Sequence, residues 1–291
     1  MSIKNDLSRE YIKNNEVFSD IINYYIFNGE EIIKPNDLHD LDTVYSKEIR
    51  NASINKIRDI VKRVCIKETK NNYYSIIGIE NQSSIDKYMV IRNYLYDALE
   101  YDRQKSKKDD KIEMKIKPVI TIVIYYGLRK WNAPRSLHEL LRIDDNNPFK
   151  EEIDNYKLRL ISLNELKLDD VLKFRSRFRQ FSAYMSVANK KEEFYKYSND
   201  IRFKNIDKET AHMLDTFVNI NLDINYDEEV VDMCKAIREI RKDGILIGRE
   251  EGAINKEREI IITMSNNGFD DNTISKALSL DIKYVKEVLN N

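Results

Sequence analysis

The chain has 291 residues, of which 42% are hydrophobic and 34% charged, and its 49 Lys and Arg nearly balance its 50 Asp and Glu. This composition supplies a core for one large domain or two modest ones, and with only 7 Gly and 4 Pro it excludes collagen-like and low-complexity chains. The net charge of −1 excludes a uniformly basic nucleic-acid-coating protein, although a local basic patch remains compatible with DNA binding.

Two cysteines, Cys65 and Cys234, are too few for a disulfide framework or a structural zinc site. The sequence has no signal-peptide pattern and no apolar run near 18 residues. We therefore expect a cytoplasmic protein with no membrane partner.

The first third of the chain predicts a helix followed by a β-hairpin. Apolar residues recur at helical spacing over residues 9–27, and Asn28-Gly29 is a typical helix stop. Residues 60–66 and 73–79 are rich in β-branched and aromatic residues and flank an Asn-rich turn, so they predict two paired strands.

Further helices and strands alternate up to about residue 168. The spacing predicts a helix over 84–104, and the apolar run 118–127 predicts a strand buried on both faces. A short helix near 137–141 and a last strand over 156–163 follow. Strands separated by helices indicate an α/β fold.

The remainder of the chain is predicted to be mostly helical. We expect an α/β domain over 1–168, a helical extension over 169–250 and a small unit over 251–291 that is similar to a helix-turn-helix. The helical C-terminal region could contact DNA or mediate homo-oligomer formation.

The stretch Ile79-Glu80-Asn81-Gln82 ends the second hairpin strand and carries the most informative chemistry. Residues two apart on a strand share a face, so Glu80 and Gln82 are expected to point the same way. A carboxylate and an amide side by side suit a hard cation such as Mg²⁺. From spacing alone, a solvated strand end is the favoured explanation of the pair, because Glu-x-Gln is a weak pattern.

This stretch resembles the Glu-x-Gln variant of the PD-(D/E)XK nuclease superfamily, whose usual signature is Asp followed by (Asp/Glu)-x-Lys on a β-hairpin. More closely, the chain is similar to the Rpn family of recombination-promoting nucleases and putative transposases. The matching segments are residues 15–24, 34–38, 58–62, 78–83, 89–98, 118–127, 136–141, 251–252, 268 and 274–278.

The resemblance implies a restriction-endonuclease-like mixed sheet flanked by helices. It also implies an endonuclease that hydrolyses DNA with Mg²⁺, or with Mn²⁺ as a substitute, in recombination, transposition or defence against mobile elements and phage. The alternative is a nuclease-fold module that binds DNA or protein and has lost cleavage.

One departure concerns the acid that the superfamily often places about 15 residues before the Glu, where this chain has Cys65. Asp59 and Asp42 are the two substitutes. We prefer Asp59, since it enters the first hairpin strand, although a turn at Asn71-Asn72 would put it a few residues past the position that faces Glu80.

A second departure is Gln82, which stands where the usual motif has Lys and supplies no positive charge. Lys62, expected to lie about opposite Glu80 in the hairpin, is the candidate replacement. The resemblance also suggests that Glu16 on the first helix supports the metal. Arg92 and Tyr96 lie at i and i+4 and offer a cation and a hydroxyl for phosphate contacts.

Overall fold

A computed structural model describes residues 3–49, 52–67, 72–105, 116–222 and 229–290. The chain divides into two compact units, Met1–Cys234 and Lys235–Asn291. The helical stretch that follows residue 168 therefore shares its unit with the sheet as far as Cys234. No helix in the described ranges is both long and apolar enough to cross a membrane.

Two helices begin the chain, α1 (Ile3–Lys13) and α2 (Asn15–Phe27), where the periodicity predicts one. Asn14 separates them, because its side chain accepts hydrogen bonds from the backbone N–H groups of Glu16 and Val17 and so starts a new helix. The predicted stop is confirmed: Asn28 takes the left-handed conformation, with φ 53°.

A five-stranded mixed sheet is the centre of the first unit. Its strands lie in the order β1 (Leu38–Asp40), β4 (Ile60–Lys67), β5 (Asn72–Gln82), β6 (Val119–Tyr125) and β7 (Arg159–Ser162). Neighbouring strands are antiparallel from β1 to β5 and parallel from β5 to β7. A separate hairpin of β2 (Val44–Ile49) and β3 (Ala52–Ile57) precedes β4. The helices α3 (Met89–Lys105) and α4 (Leu137–Leu141) follow β5 and β6 respectively.

The β4–β5 register corrects the expected turn. Ile60 pairs with Ile79 and Lys67 with Asn72, so the connection spans residues 68–71, which lie outside the described residues. Extending this register by one position sets Asp59 opposite Glu80. The prediction that Glu80 and Gln82 end a central strand beside the first hairpin strand is confirmed.

Helices cover both faces of the sheet. On one face Met89 and Val90 of α3 pack with Val123 and Tyr125 of β6. The opposite face receives α2, where the Lys62 ammonium lies 5.4 Å from the centre of the Phe18 ring. The side chains of β5 alternate between these two environments.

Where the structure describes it, the rest of the first unit consists of helices, loops and two short antiparallel strands that the sequence does not predict. It comprises α5 (Leu168–Val171), α6 (Phe178–Ser186), α7 (Lys191–Asn199), β8 (Asn205–Asp207), α8 (Lys208–Val218) and β9 (Val230–Asp232). Phe181 of α6 meets the rings of Tyr126, which follows β6, and Phe217 of α8. These aromatic contacts join the helical stretch to the sheet.

The second unit contains most of the long helix α9 (Met233–Asn266) and two short helices, α10 (Asp271–Leu278) and α11 (Ile282–Asn290). Ile261, Ile274, Val285 and Val288 form its buried core. Asp270 caps α10, because its side chain accepts hydrogen bonds from the backbone N–H groups of Asn272 and Thr273.

Candidate active site

A cavity of about 250 Å³ opens where β5 ends, and its lining is almost entirely polar. It brings together five of the residues singled out from the sequence, namely Asp59, Glu80, Gln82, Arg92 and Tyr96. The other lining residues are Asn5, Ile57, Asn81, Ser83 and Ser84.

Glu80 is the most deeply buried acid of this cavity, with 3% of its surface exposed. Its Oε1 accepts a hydrogen bond of 3.3 Å from Arg58 Nε, and the two groups form a buried ion pair. Burial, helped by the negative charge of Asp59, raises the pKa of Glu80 to about 7, although the positive charge of Arg58 opposes this rise.

Asp59 lies just before β4, in the bend that links it to β3. Its Oδ2 accepts a hydrogen bond of 2.7 Å from the backbone N–H of Asn81, which fixes the carboxylate against the end of β5. Burial raises the pKa of Asp59, while the Asn81 hydrogen bond and the positive charges of Arg92 and Arg9 oppose that rise.

Gln82 and Arg92 complete the polar lining. Gln82 Nε2 donates to the carbonyl of Asn81 at 2.8 Å, and this bond holds the side-chain amide at the cavity. Arg92 Nη1 pairs with Asp86 at 2.9 Å, whereas Arg92 Nε is buried and has no hydrogen-bond partner among the described residues. A donor in that state is suited to an anionic ligand.

Lys62 does not belong to this site, and the prediction that it faces Glu80 is wrong. It pairs with Ile77, which points to the other face of β5, because side chains alternate along a strand. Lys62 is 1% exposed there, and its ammonium donates hydrogen bonds of 2.6 Å to Asn15 Oδ1 and to Asp40 Oδ1.

Three other residues named from the sequence also lie elsewhere. Glu16 is exposed on the first turn of α2 and does not line this cavity. Asp42 is exposed in the loop before β2, where its Oδ1 accepts from the backbone N–H of Val44, and it lines a neighbouring cavity that includes Asp59. Cys65 is buried and pairs with Tyr74, toward the opposite end of the hairpin.

The sequence did not single out a buried polar chain behind Glu80. Arg58 Nη2 donates to Thr121 Oγ1, Thr121 donates to Asp97 Oδ1, and the Tyr156 hydroxyl donates to Asp97 Oδ2. Thr121 was the available signal, since it is the one hydroxyl residue inside the apolar run of β6 apart from the terminal tyrosine.

The donor set fits a divalent cation. Mg²⁺ in proteins is commonly held by one or two carboxylates, with waters and substrate phosphate oxygens as its other ligands. Asp59 and Glu80 supply two carboxylates, and the hydrogen bonds from Asn81 and Arg58 use one oxygen of each. Across the described ranges, no group of three or more His, Cys, Asp and Glu could hold a metal by itself.

In metal-free protein, the two raised carboxylate pKa values predict a loss of stability as pH rises. The folded state favours the neutral acid, so the contribution of Glu80 is full below pH 4.5 and is lost as pH rises to about 7. For Glu80 the loss is about 3 kcal/mol, at 1.36 kcal/mol per pKa unit. Urea unfolding in EDTA should show that the free energy of unfolding decreases less between pH 5 and pH 8 for Glu80→Gln than for the wild type. Equal decreases in the two proteins would contradict the assignment of this pH dependence to Glu80.

A family model described as "Putative transposase, YhgA-like" matches residues 6–210. The match contains the whole five-stranded sheet and every residue of the cavity except Asn5. No curated protein and no solved structure gave a significant match.

Proposed function

The chain belongs to the family of YhgA-like putative transposases, and from this premise we propose that it is a divalent-metal-dependent DNA endonuclease with a function in transposition or recombination. The observation that carries the proposal is the meeting of two carboxylates, the buried Glu80 and the half-buried Asp59, in one polar cavity at the end of a central strand.

In this proposal Asp59 and Glu80 hold Mg²⁺ or Mn²⁺. When bound, such a cation polarises a phosphodiester, lowers the pKa of a water and stabilises the leaving oxygen. Gln82 has the amide needed to orient a water by hydrogen bonds. The guanidinium of Arg92, which lines the cavity, is a donor for a phosphate oxygen of the DNA backbone.

A second candidate function is a DNA-binding module without cleavage. The ion pair between Arg58 and Glu80 favours it, because the guanidinium already gives this carboxylate a positive partner from within the protein. In that case the guanidinium of Arg58 would neutralise Glu80 permanently, in place of a metal cation.

Nicking of supercoiled plasmid separates the two candidates. The wild type is expected to cut in Mg²⁺ or Mn²⁺ and not in EDTA, and Glu80→Ala is expected to lose cutting by about 1000-fold, since electrostatic groups of this kind contribute 100- to 1000-fold each. Glu16→Ala is the matched control, because Glu16 is exposed and lies outside the cavity.

Two outcomes would end the endonuclease proposal. Equal cutting by the wild type and Glu80→Ala would identify a contaminating nuclease. Binding of DNA by the wild type with no cutting in either metal would support the binding module.

A further inference from the structure

We propose that Arg58 is a positioning residue: it fixes the Glu80 carboxylate at the cavity, and it is itself held by the buried Thr121–Asp97–Tyr156 chain. This inference rests on the proposed function, since it concerns how the same site is kept in order. The residue precedes Asp59 directly, so one bend between β3 and β4 delivers both groups to the end of β5.

Arg58 is fastened on two sides. It is 5% exposed, its Nε donates to Glu80 at 3.3 Å, and its Nη2 donates to Thr121 Oγ1 at 2.5 Å. Its guanidinium carbon also lies 5.4 Å from the ring centre of Tyr96, which lines the cavity. A planar guanidinium can make these contacts together, which a lysine ammonium cannot.

Thr121 determines the direction of the chain. Its single hydroxyl proton is donated to Asp97 Oδ1, so its oxygen is left to accept from Arg58. Asp97 is buried, and it is held in turn by the Tyr156 hydroxyl at 2.8 Å. The hydrogen bonds of Thr121, Asp97 and Tyr156 therefore fix the rotamer of Arg58, independently of any ligand in the cavity.

Gly78 provides the space for the guanidinium. It lies two residues before Glu80 on the same face of β5 and beside Thr121 of β6. A Cβ built on Gly78 would lie 1.8 Å from Arg58 Nη2 and 2.6 Å from Cζ, so any larger residue forces the guanidinium out of its seat. Such a displacement breaks the hydrogen bonds from Arg58 to Glu80 and Thr121.

Arg58 is expected to affect turnover and metal binding in opposite directions. The ion pair orients Glu80 and should therefore favour turnover. The same guanidinium repels an incoming divalent cation and competes with it for the carboxylate, and so should weaken metal binding. A residue that merely supported the fold would favour both.

The test measures cleavage and Mn²⁺ binding on the full chain, the latter by electron paramagnetic resonance. We expect Arg58→Met to lower plasmid cleavage at least 100-fold while tightening the Mn²⁺ dissociation constant about 10-fold. Arg58→Lys should restore wild-type Mn²⁺ affinity but only part of the cleavage. Arg63→Met, at an exposed position of β4, is the matched control and should change neither.

Gly78→Ala tests the same inference with every charged group kept, and it should show the same opposite changes in cleavage and Mn²⁺ affinity. Cleavage by Arg58→Met and Gly78→Ala within threefold of the wild type would overturn the proposal. So would parallel losses of cleavage and Mn²⁺ affinity in both folded variants.

A stability cycle keeps the proposal separate from the nuclease activity. Arg58→Met should raise the unfolding equilibrium constant at least 10-fold more in the wild-type background than in Glu80→Gln, because the pair is coupled only when both charges are present. If the wild type neither cuts DNA nor binds Mn²⁺, the proposed function fails. The cycle would still show whether Arg58 and Glu80 are energetically coupled. Equal effects in the two backgrounds would overturn it.

Discussion

Replacing Asp59 by Asn is expected to lower Mg²⁺-dependent plasmid cleavage about 1000-fold, whereas Asp42→Asn should stay within about threefold of the wild type. Asp59 lines the cavity with Glu80 and faces it in the extended strand register, and Asp42 lies in an exposed loop beside a different cavity. Asn keeps an oxygen that can accept the hydrogen bond from Asn81, so the fold should survive the change.

Initial rates of nicking at saturating Mg²⁺, with melting temperatures of both variants as the check on folding, would measure this difference. A folded Asp59→Asn that cuts normally beside an inactive Asp42→Asn would mean that the loop supplies the acid. The metal site would then have to be rebuilt around Asp42.

Removing the Phe181 ring is expected to cost about 3–5 kcal/mol of unfolding free energy, the usual range for a buried phenylalanine replaced by alanine. Phe181 is fully buried and its ring contacts those of Tyr11, Tyr126, Phe178 and Phe217. These rings come from α1, from the end of β6 and from the helices after residue 168. The cavity left by Phe181→Ala therefore lies at the junction between the sheet and these helices.

Phe149→Ala is the matched control, because Phe149 is 67% exposed and its loss should change stability by less than about 0.5 kcal/mol. Urea unfolding followed by far-UV circular dichroism would give both values. A loss below about 1 kcal/mol for Phe181→Ala would show that the helical stretch is not packed into the same core as the sheet.

The main elements of the first unit could be predicted because their signals are local. The apolar run of β6 and the β-branched halves of the β4–β5 hairpin identify strands without reference to the rest of the chain. The break between α1 and α2 was missed because Asn14 ends one helix and caps another within a continuous apolar period. The antiparallel strands β8 and β9, with three residues each, are too short for any period to appear.

The site was predicted in part for a different reason. Alternation along β5 was enough to pair Glu80 with Gln82, but choosing the facing acid required the hairpin register, and moving the turn by two residues changes which position faces Glu80. Because side chains alternate along a strand, the pairing of Lys62 with Ile77 also means that Lys62 points away from the site. No local pattern marks Arg58 as buried, since an arginine beside an aspartate before a strand usually lies in solvent.

The most direct test of the central claim, that Asp59 and Glu80 form one divalent-metal site, is Mn²⁺ binding measured by electron paramagnetic resonance without DNA. The account predicts that the wild type and Asp42→Asn bind with the same affinity, and that Asp59→Asn and Glu80→Gln each bind at least 10-fold more weakly. Unchanged Mn²⁺ binding in both Asp59→Asn and Glu80→Gln would contradict it.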